Sequence, residues 1–195
     1  MLYEIINKDQ LIGMNFLMNL DAGGSEFYRF SEKDIDLAVI SLNSPFHKLF
    51  AKTILDLGFE PISSEKIIDQ PTSEGSDIYS IGFPSVTSVL LDRRKLIDRR
   101  ILNSNWESWF ASEPTFSFGK VAMLNRILNY FLCDMSVYPG NSGSPVIQDD
   151  KLVGIVSAQP LLENQRVLFA IVIKAEFIRS LLDNLYKRDM ENWVK

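Results

Sequence analysis

Short apolar segments separated by turn signals follow one another from residue 117 almost to the end of the chain, and this spacing strongly limits the possible folds. The segments are FGKVAML, ILNYFLCDMSV, GSPVI, KLVGIVSAQ and RVLFAIVIK. Strands of this length at regular intervals are typical of a β-sandwich or β-barrel. In the last segment, AEFIRSLLDNLYKRDMENWV, the apolar residues lie on one helical stripe. We therefore expect a mostly β fold that ends in a C-terminal helix.

The first half of the chain mixes strand and helix patterns. EFYRF alternates aromatic and polar residues, and DIDLAVISL (34–42) is an apolar run entered through acidic residues, so both predict strands. In SPFHKLFAKTILDLGF the apolar spacing changes to three and four residues, and Ser44 and Pro45 suit the start of a helix. LLDRRKLIDRR (90–100) also has helical spacing. We interpret its basic residues as a solvated face, with a contact surface for an acidic partner as the alternative.

Composition excludes several classes of protein. The apolar share of 46% and the charged share of 23% are those of an ordinary globular domain, and the net charge of −5 disfavours a nucleic-acid partner. No apolar run is long enough to cross a membrane and the start lacks a signal-peptide layout, so we expect a cytoplasmic protein without a membrane partner. The single cysteine, Cys133, and the single histidine, His47, form no ligand cluster. We expect neither a metal nor a cofactor.

The stretch PGNSGSPVI (139–147) is the strongest candidate for chemistry. It presents Ser142 between two glycines, on a proline-bounded turn that leads into a strand. A nucleophilic serine needs an exposed hydroxyl, a base, and N–H donors for the oxyanion. Gly140 and Gly143 permit backbone angles that other residues resist, so the turn can aim the N–H groups of Gly140 and Ser142 at one point. The alternative is a plain Gly-Ser turn between strands.

The blocks around this turn resemble the trypsin/chymotrypsin-like serine proteases, most closely the bacterial branch with the high-temperature-requirement proteases and the glutamyl endopeptidases. DMSVYPGNSGSPVIQDDKLVGIVSAQ resembles the serine region of that family, and DIDLAVISL its aspartate region. DIYSIGFP resembles the end of its first barrel and FGKVAML the opening of its second. The resemblance implies a chymotrypsin-like double antiparallel β-barrel, with the active site in the cleft between the barrels.

Carried over position by position, the resemblance also implies roles for individual residues. Ser142 would be the nucleophile of a serine endopeptidase, the N–H groups of Gly140 and Ser142 would form the oxyanion hole, and Asp36 would orient the catalytic histidine. A peptide or protein substrate would pair as an added strand with one segment of the chain. The residues of this segment are Ser157, Ala158 and Gln159.

The same carry-over bears on the specificity pocket. Ser136 would lie at the pocket floor, and because it is neutral, a preference for lysine or arginine is not expected. Val156 stands where the glutamate-specific members have a polar residue, so a glutamate preference is not expected either. The side chain of Gln159 would narrow the pocket. We therefore expect a small or medium apolar residue as the substrate side chain, and we expect Cys133 to be a core residue.

The chain departs from the family in its histidine. In the family the histidine precedes the aspartate, but residues 1–35 contain none. His47 follows Asp36, and helical spacing places it off the apolar stripe, which predicts an exposed helical residue. Its alternative role, as the catalytic base, would require that helix to cross the cleft. Loss of the histidine in a related triad lowers turnover by roughly a millionfold.

Three accounts of the absent base remain open. The histidine could lie upstream of Met1 or on a separate piece of a protease, the chain could be a pseudoprotease that uses its cleft to bind peptides or proteins, or another chain could complete the first barrel. In each account the N-terminal barrel is incomplete or rebuilt. The expected organisation is an N-terminal partial barrel with Asp36, an irregular connection, a C-terminal barrel with Ser142, and a helix, at residues 1–85, 86–116, 117–175 and 176–195.

Overall fold

The computed structural model describes residues 2–7, 10–15, 28–30, 35–43, 47–56, 58–85, 89–92, 108–111, 114–163 and 165–193. Its strands are β1 (Leu2–Asn7), β2 (Gln10–Asn15), β3 (Tyr28–Phe30), β4 (Ala38–Ile40), β5 (Asp77–Gly82), β6 (Val89–Asp92), β7 (Ser108–Ala111), β8 (Thr115–Met123), β9 (Tyr130–Cys133), β10 (Pro145–Gln148), β11 (Lys151–Ala158), β12 (Leu161–Leu162), β13 (Gln165–Arg166) and β14 (Ala170–Lys174). Its helices are α1 (Lys48–Asp56), α2 (Glu176–Trp193) and a 3₁₀ turn (Ser64–Lys66).

A closed antiparallel barrel forms the centre of the described structure. Its strands follow the order β10-β11-β14-β9-β8-β5, and the apolar segments predicted from residue 117 onward supply all of them except β5. Alternate side chains point inward and form the core around Phe131, which is fully buried. A Cβ at Gly154 would lie 2.9 Å from the Phe131 ring. Glycine at this position therefore makes room for the ring inside the barrel.

Helix α2 covers part of the outer surface of the barrel. Ile178 packs there with Ile147 and Leu152, which point outward from β10 and β11. Of the predicted apolar stripe, Ile178, Leu181 and Leu185 are buried, whereas Tyr186 is exposed. The expectation of a mostly β fold with a C-terminal helix is confirmed. No helix in the described part of the chain is both long enough and apolar enough to cross a membrane.

The described N-terminal residues form two-stranded hairpins. β1 pairs with β2, β3 pairs with β4, and the β3–β4 hairpin packs against α2. The predicted strand at 34–42 is shorter than expected, and its residues Ala38, Val39 and Ile40 are exposed or half-buried rather than buried. Among the sheets that the structure describes, one is a closed barrel and the others have two strands each.

Two expectations about the middle of the chain are wrong. β5, interpreted as the end of a first barrel within residues 1–85, pairs with β8 on one side and β10 on the other, so it belongs to the closed barrel. In the segment 90–100, expected to be helical, the described residues belong to β6, which pairs with β7. Residues 93–100 and the expected helix start at Ser44 and Pro45 lie outside the described residues. In both cases pairing with a strand distant in sequence decides the structure. The apolar spacing within the segment itself does not indicate that partner strand.

Candidate active site

Backbone hydrogen bonds within the turn at residues 139–144 and to the barrel hold its shape. The Asn141 N–H donates to the Tyr138 carbonyl at 2.9 Å, and the Ser144 N–H donates to the Asn141 carbonyl at 2.9 Å. The Gly143 N–H donates to the Val156 carbonyl on β11 at 2.8 Å, which attaches the turn to the barrel. Ser142 lies at the exposed tip of this turn.

The two glycines of the turn have the backbone conformations expected of them. Gly140 has a φ of +100° and Gly143 a φ of +86°. A Cβ at Gly140 would clash with the carbonyl oxygen of Phe83 and lie 3.1 Å from the Ser85 nitrogen, whereas a Cβ at Gly143 would meet nothing within 4 Å. Position 140 therefore requires glycine both for its conformation and for space, and position 143 for its conformation alone.

The N–H groups of Gly140 and Ser142 differ from those of their neighbours. Within the part of the chain that the structure describes, neither donates to a protein acceptor, although the N–H groups of Asn141, Gly143 and Ser144 all do. Two unpaired N–H groups beside an exposed hydroxyl are what an oxyanion hole requires.

The structure brings the predicted nucleophile and the predicted acid to the same residue of β11. The Ser142 hydroxyl donates to the backbone carbonyl of Ser157. The Ser157 hydroxyl in turn donates to Oδ2 of Asp36 at 2.8 Å. A peptide carbonyl accepts a hydrogen bond but does not remove the proton, so Ser142 here is a neutral alcohol.

A cavity of about 230 Å³ opens beside Ser142. The predicted substrate segment, Ser157, Ala158 and Gln159, lines it together with Gly140. The Gln159 amide donates to the Val167 carbonyl at 3.0 Å, which holds this side chain at the cavity.

Ser136, expected at the floor of this pocket, is exposed and does not line the cavity. Val137 and Tyr138 lie there in its place. Among the residues that the structure describes, none that lines the cavity is a histidine, a lysine or an arginine.

The environment of His47 contradicts the expectation of an exposed helical residue. His47 precedes α1, and its carbonyl accepts the Ala51 N–H at 2.9 Å. Its side chain is only 5% exposed, with Nδ1 3.1 Å from the Ser41 carbonyl oxygen. Leu49, expected on the buried stripe, is 65% exposed. The other described members of the predicted stripe are half-buried: Phe50, Thr53 and Ile54. The periodicity of α1 therefore predicted its more covered side apart from Leu49, and His47 is covered by a contact outside the helix.

His47 is also held at the far end of the strand that follows Asp36. Asp36 lies just before β4 and Ser41 just after it. Four residues lie between Asp36 and Ser41, so at roughly 3.3 Å per residue the two positions are up to about 16 Å apart. The structure therefore brings Asp36 and Ser142 together through Ser157, and it brings His47 to Ser41 instead.

Cys133 is a core residue, as expected, because its side chain is completely buried in the barrel. Burial, with a smaller contribution from the nearby Asp134 charge, raises the pKa of Cys133 to about 12. The thiol is therefore protonated and unreactive at neutral pH. Among the described residues no cluster of histidine, cysteine, aspartate and glutamate could hold a metal ion.

Several buried polar groups escaped the sequence analysis. Lys174 is 1% exposed, and its Nζ donates to the Asn125 carbonyl at 2.8 Å. Asn141, behind the turn, is also 1% exposed, and its Oδ1 accepts the Tyr138 N–H at 3.3 Å. The position of Lys174 at the end of an apolar strand was the one signal that could have indicated its burial.

A barrel with an exposed serine on a glycine-flanked turn, two unpaired N–H groups and a nearby carboxylate defines a serine-peptidase type of site. A family model described as a trypsin-like peptidase domain matches residues 17–155, and the chain belongs to this family. No curated protein matches the chain. Among solved structures, the chain is similar to Rv3671c from M. tuberculosis, an inactive form of a serine-to-alanine mutant, with 13% identity and a TM-score of 0.37. That alignment covers 62% of this chain and 52% of the other, about half its length.

Proposed function

We propose that the chain carries the nucleophile and the acid of a serine endopeptidase. Ser142 is the nucleophile, the N–H groups of Gly140 and Ser142 stabilise the oxyanion, and Asp36 is the orienting acid. The observation that supports this most is the pair of unpaired N–H groups beside the exposed hydroxyl. A binding surface alone has no need of a turn that requires glycine at position 140.

In the proposed reaction Ser142 Oγ forms a bond to the carbonyl carbon of the substrate, and its proton passes to a general base. The peptide C–N bond then breaks, the amine leaves with that proton, and water hydrolyses the acyl-enzyme. No histidine or lysine lines the cavity in the described structure, so the base comes from outside it. We place it on a polypeptide segment that completes a first barrel beside the described one, within a double-barrel fold of the bacterial type.

The cavity supports a preference for small or medium apolar side chains. The described residues of its lining carry no charged side chain, and they include Val137 and Val156. The anchored Gln159 amide limits its width on the other side. A charged substrate side chain would find no partner of opposite charge in this cavity.

A second function, peptide or protein binding without hydrolysis, has its own supporting observation. The Ser142 hydroxyl donates to the Ser157 carbonyl instead of a base, and His47 contacts Ser41 instead of Ser142. In this case an extended peptide adds to the edge at residues 157–159, and Ser142 is a polar contact.

Labelling with a fluorophosphonate probe, with and without imidazole, separates the two functions. Imidazole is a small general base that can reach a site from solvent, so we expect it to accelerate labelling of the folded protein. Ser142→Ala should abolish the labelling, whereas Ser136→Ala, at an exposed serine outside the cavity, should leave it unchanged. A folded protein that imidazole leaves unlabelled would overturn the endopeptidase proposal and leave the binding function.

A further inference from the structure

A second cavity, of about 460 Å³, lies between helix α2 and the segment that follows β4. None of its lining residues is shared with the cavity at Ser142. Asp189 of α2 lines it and is only 9% exposed. The cavity therefore has a buried carboxylate in its wall, at a distance from the proposed chemistry.

The Asp189 carboxylate has neutral partners on one oxygen. Oδ2 accepts the Ser41 hydroxyl at 2.6 Å and the Asn43 amide at 3.0 Å. Within the described residues no donor reaches Oδ1. Asp183 also lines the cavity, and none of the described residues that line it is a lysine, an arginine or a histidine. A cation that enters the cavity would give this carboxylate a charge-assisted hydrogen bond.

Part of the cavity wall is apolar. Leu182 and Leu185 line it with Tyr186, whose side chain is largely exposed. Lysine and arginine side chains combine an apolar stem with a cationic head, so they match walls of this kind around a carboxylate. A neighbouring hollow of about 330 Å³ shares Ser64, Leu182 and Asp183 with the cavity. Its lining also includes Glu65 and Arg179, and the Arg179 guanidinium donates to the Ile67 carbonyl. The cavity and the hollow together form a groove along α2. The groove has room for the residues that flank a bound side chain on either side.

We propose that this groove, named the α2 groove, binds an arginine or lysine side chain of an extended segment of a partner protein. The cationic head binds Asp189 Oδ1, and the stem lies along Leu182 and Leu185. The complementary charge and the apolar walls support this occupant. The proposal does not depend on the chemistry at Ser142, because the two cavities share no residue.

The test is binding of acetyl-Gly-Arg-Gly-amide to the full chain, followed by amide chemical shifts in two-dimensional NMR. The matched control peptide has citrulline, the neutral analogue of arginine. We expect shifts at Asn43, Asp183 and Tyr186, and affinity at least about tenfold weaker for the citrulline peptide, because a hydrogen bond to a charged group is worth roughly this factor. The lysine peptide should bind with the same shift pattern.

Variants separate the α2 groove from the proposed active site. Asp189→Asn keeps an acceptor for Ser41 and Asn43 but removes the charge, so it should weaken arginine-peptide binding about tenfold without unfolding the protein. Ser142→Ala should bind the peptide as well as the wild type does. Unchanged affinity in a folded Asp189→Asn variant, equal affinity for the citrulline peptide, or shifts confined to Ser157–Gln159 would each overturn the proposal. Failure of the fluorophosphonate labelling at Ser142 would not contradict the proposal for the α2 groove.

Discussion

The Ser157 hydroxyl donates a 2.8 Å hydrogen bond to the carboxylate of Asp36, 121 positions earlier in the chain. The carbonyl of the same residue accepts the hydroxyl of Ser142, 15 positions earlier. One residue of β11 thus joins the predicted acid to the predicted nucleophile. Both contacts are made by a residue of the barrel strand β11. The register of β11 therefore sets the distance between the Asp36 carboxylate and the Ser142 hydroxyl.

A double-mutant cycle should detect this contact between Asp36 and Ser157. We expect a coupling free energy of about 0.5–1 kcal/mol from urea unfolding of Asp36→Ala, Ser157→Ala and the double variant, since the bond is charge-assisted but exposed. The pair Asp36→Ala and Ser136→Ala is the control and should show no coupling. Additive effects of Asp36→Ala and Ser157→Ala would contradict the contact.

The two turn glycines should respond differently to alanine. Gly143→Ala places a side chain at positive φ in open space and should lower the free energy of unfolding by about 1 kcal/mol. Gly140→Ala adds a clash with the Phe83 carbonyl and should cost about 3 kcal/mol. Urea unfolding of both variants is the measurement. Equal costs would show that the turn relaxes away from Phe83.

Replacement of His47 should affect stability and leave the reactivity of Ser142 unchanged. His47→Ala removes a buried ring and its contact with the Ser41 carbonyl, so we expect a loss of about 2–3 kcal/mol in unfolding free energy. Lys52→Ala, at an exposed position of α1, is the control and should cost little. Imidazole-dependent labelling should be the same in both variants. A folded His47→Ala protein that loses labelling would identify His47 as part of the active site.

Cys133 should make the protein less stable at high pH. Burial raises the pKa of the folded thiol from its ordinary value of 9.0 to about 12, so above pH 9.0 the unfolded chain loses this proton first. Its contribution to stability is complete below pH 9.0 and falls by about 1.4 kcal/mol per pH unit above it.

The measurement for Cys133 is urea unfolding of the wild type and of Cys133→Ala at a series of pH values. The wild type should lose stability relative to the variant as the pH rises above 9.0. Parallel pH profiles would mean that the thiol titrates normally in the folded protein.

Local patterns predicted the second half of the fold well. Apolar runs separated by turn signals became β8, β9, β10, β11 and β14, because a strand with one side in a core must alternate along its own length. The predictions failed at β5 and at β6. Each pairs with strands or segments distant in sequence, and its own residues do not show which sheet it joins.

The candidate site also has some features that the sequence predicted and others that it did not. The glycines around Ser142 could be predicted, because a turn with positive φ selects glycine through local sterics. The burial of His47 and Asp189 could not. The burial of Asp189 depends on the packing of the β3–β4 hairpin against α2, a contact between opposite ends of the chain. The side chain of His47 is covered where it meets the Ser41 carbonyl, outside helix α1.

The sequence by itself determined the elements whose causes are local: the strand alternation from residue 117 onward, the C-terminal helix and the glycine-flanked turn of Ser142. The tertiary structure alone decided that Ser157 would join Asp36 to Ser142, that His47 would contact Ser41, and that a buried Asp189 would line a cavity. The physical reason is the range of the interactions. Backbone sterics and apolar periodicity act within a few residues, whereas hydrogen bonds and burial between distant segments exist only once the chain has closed into the barrel.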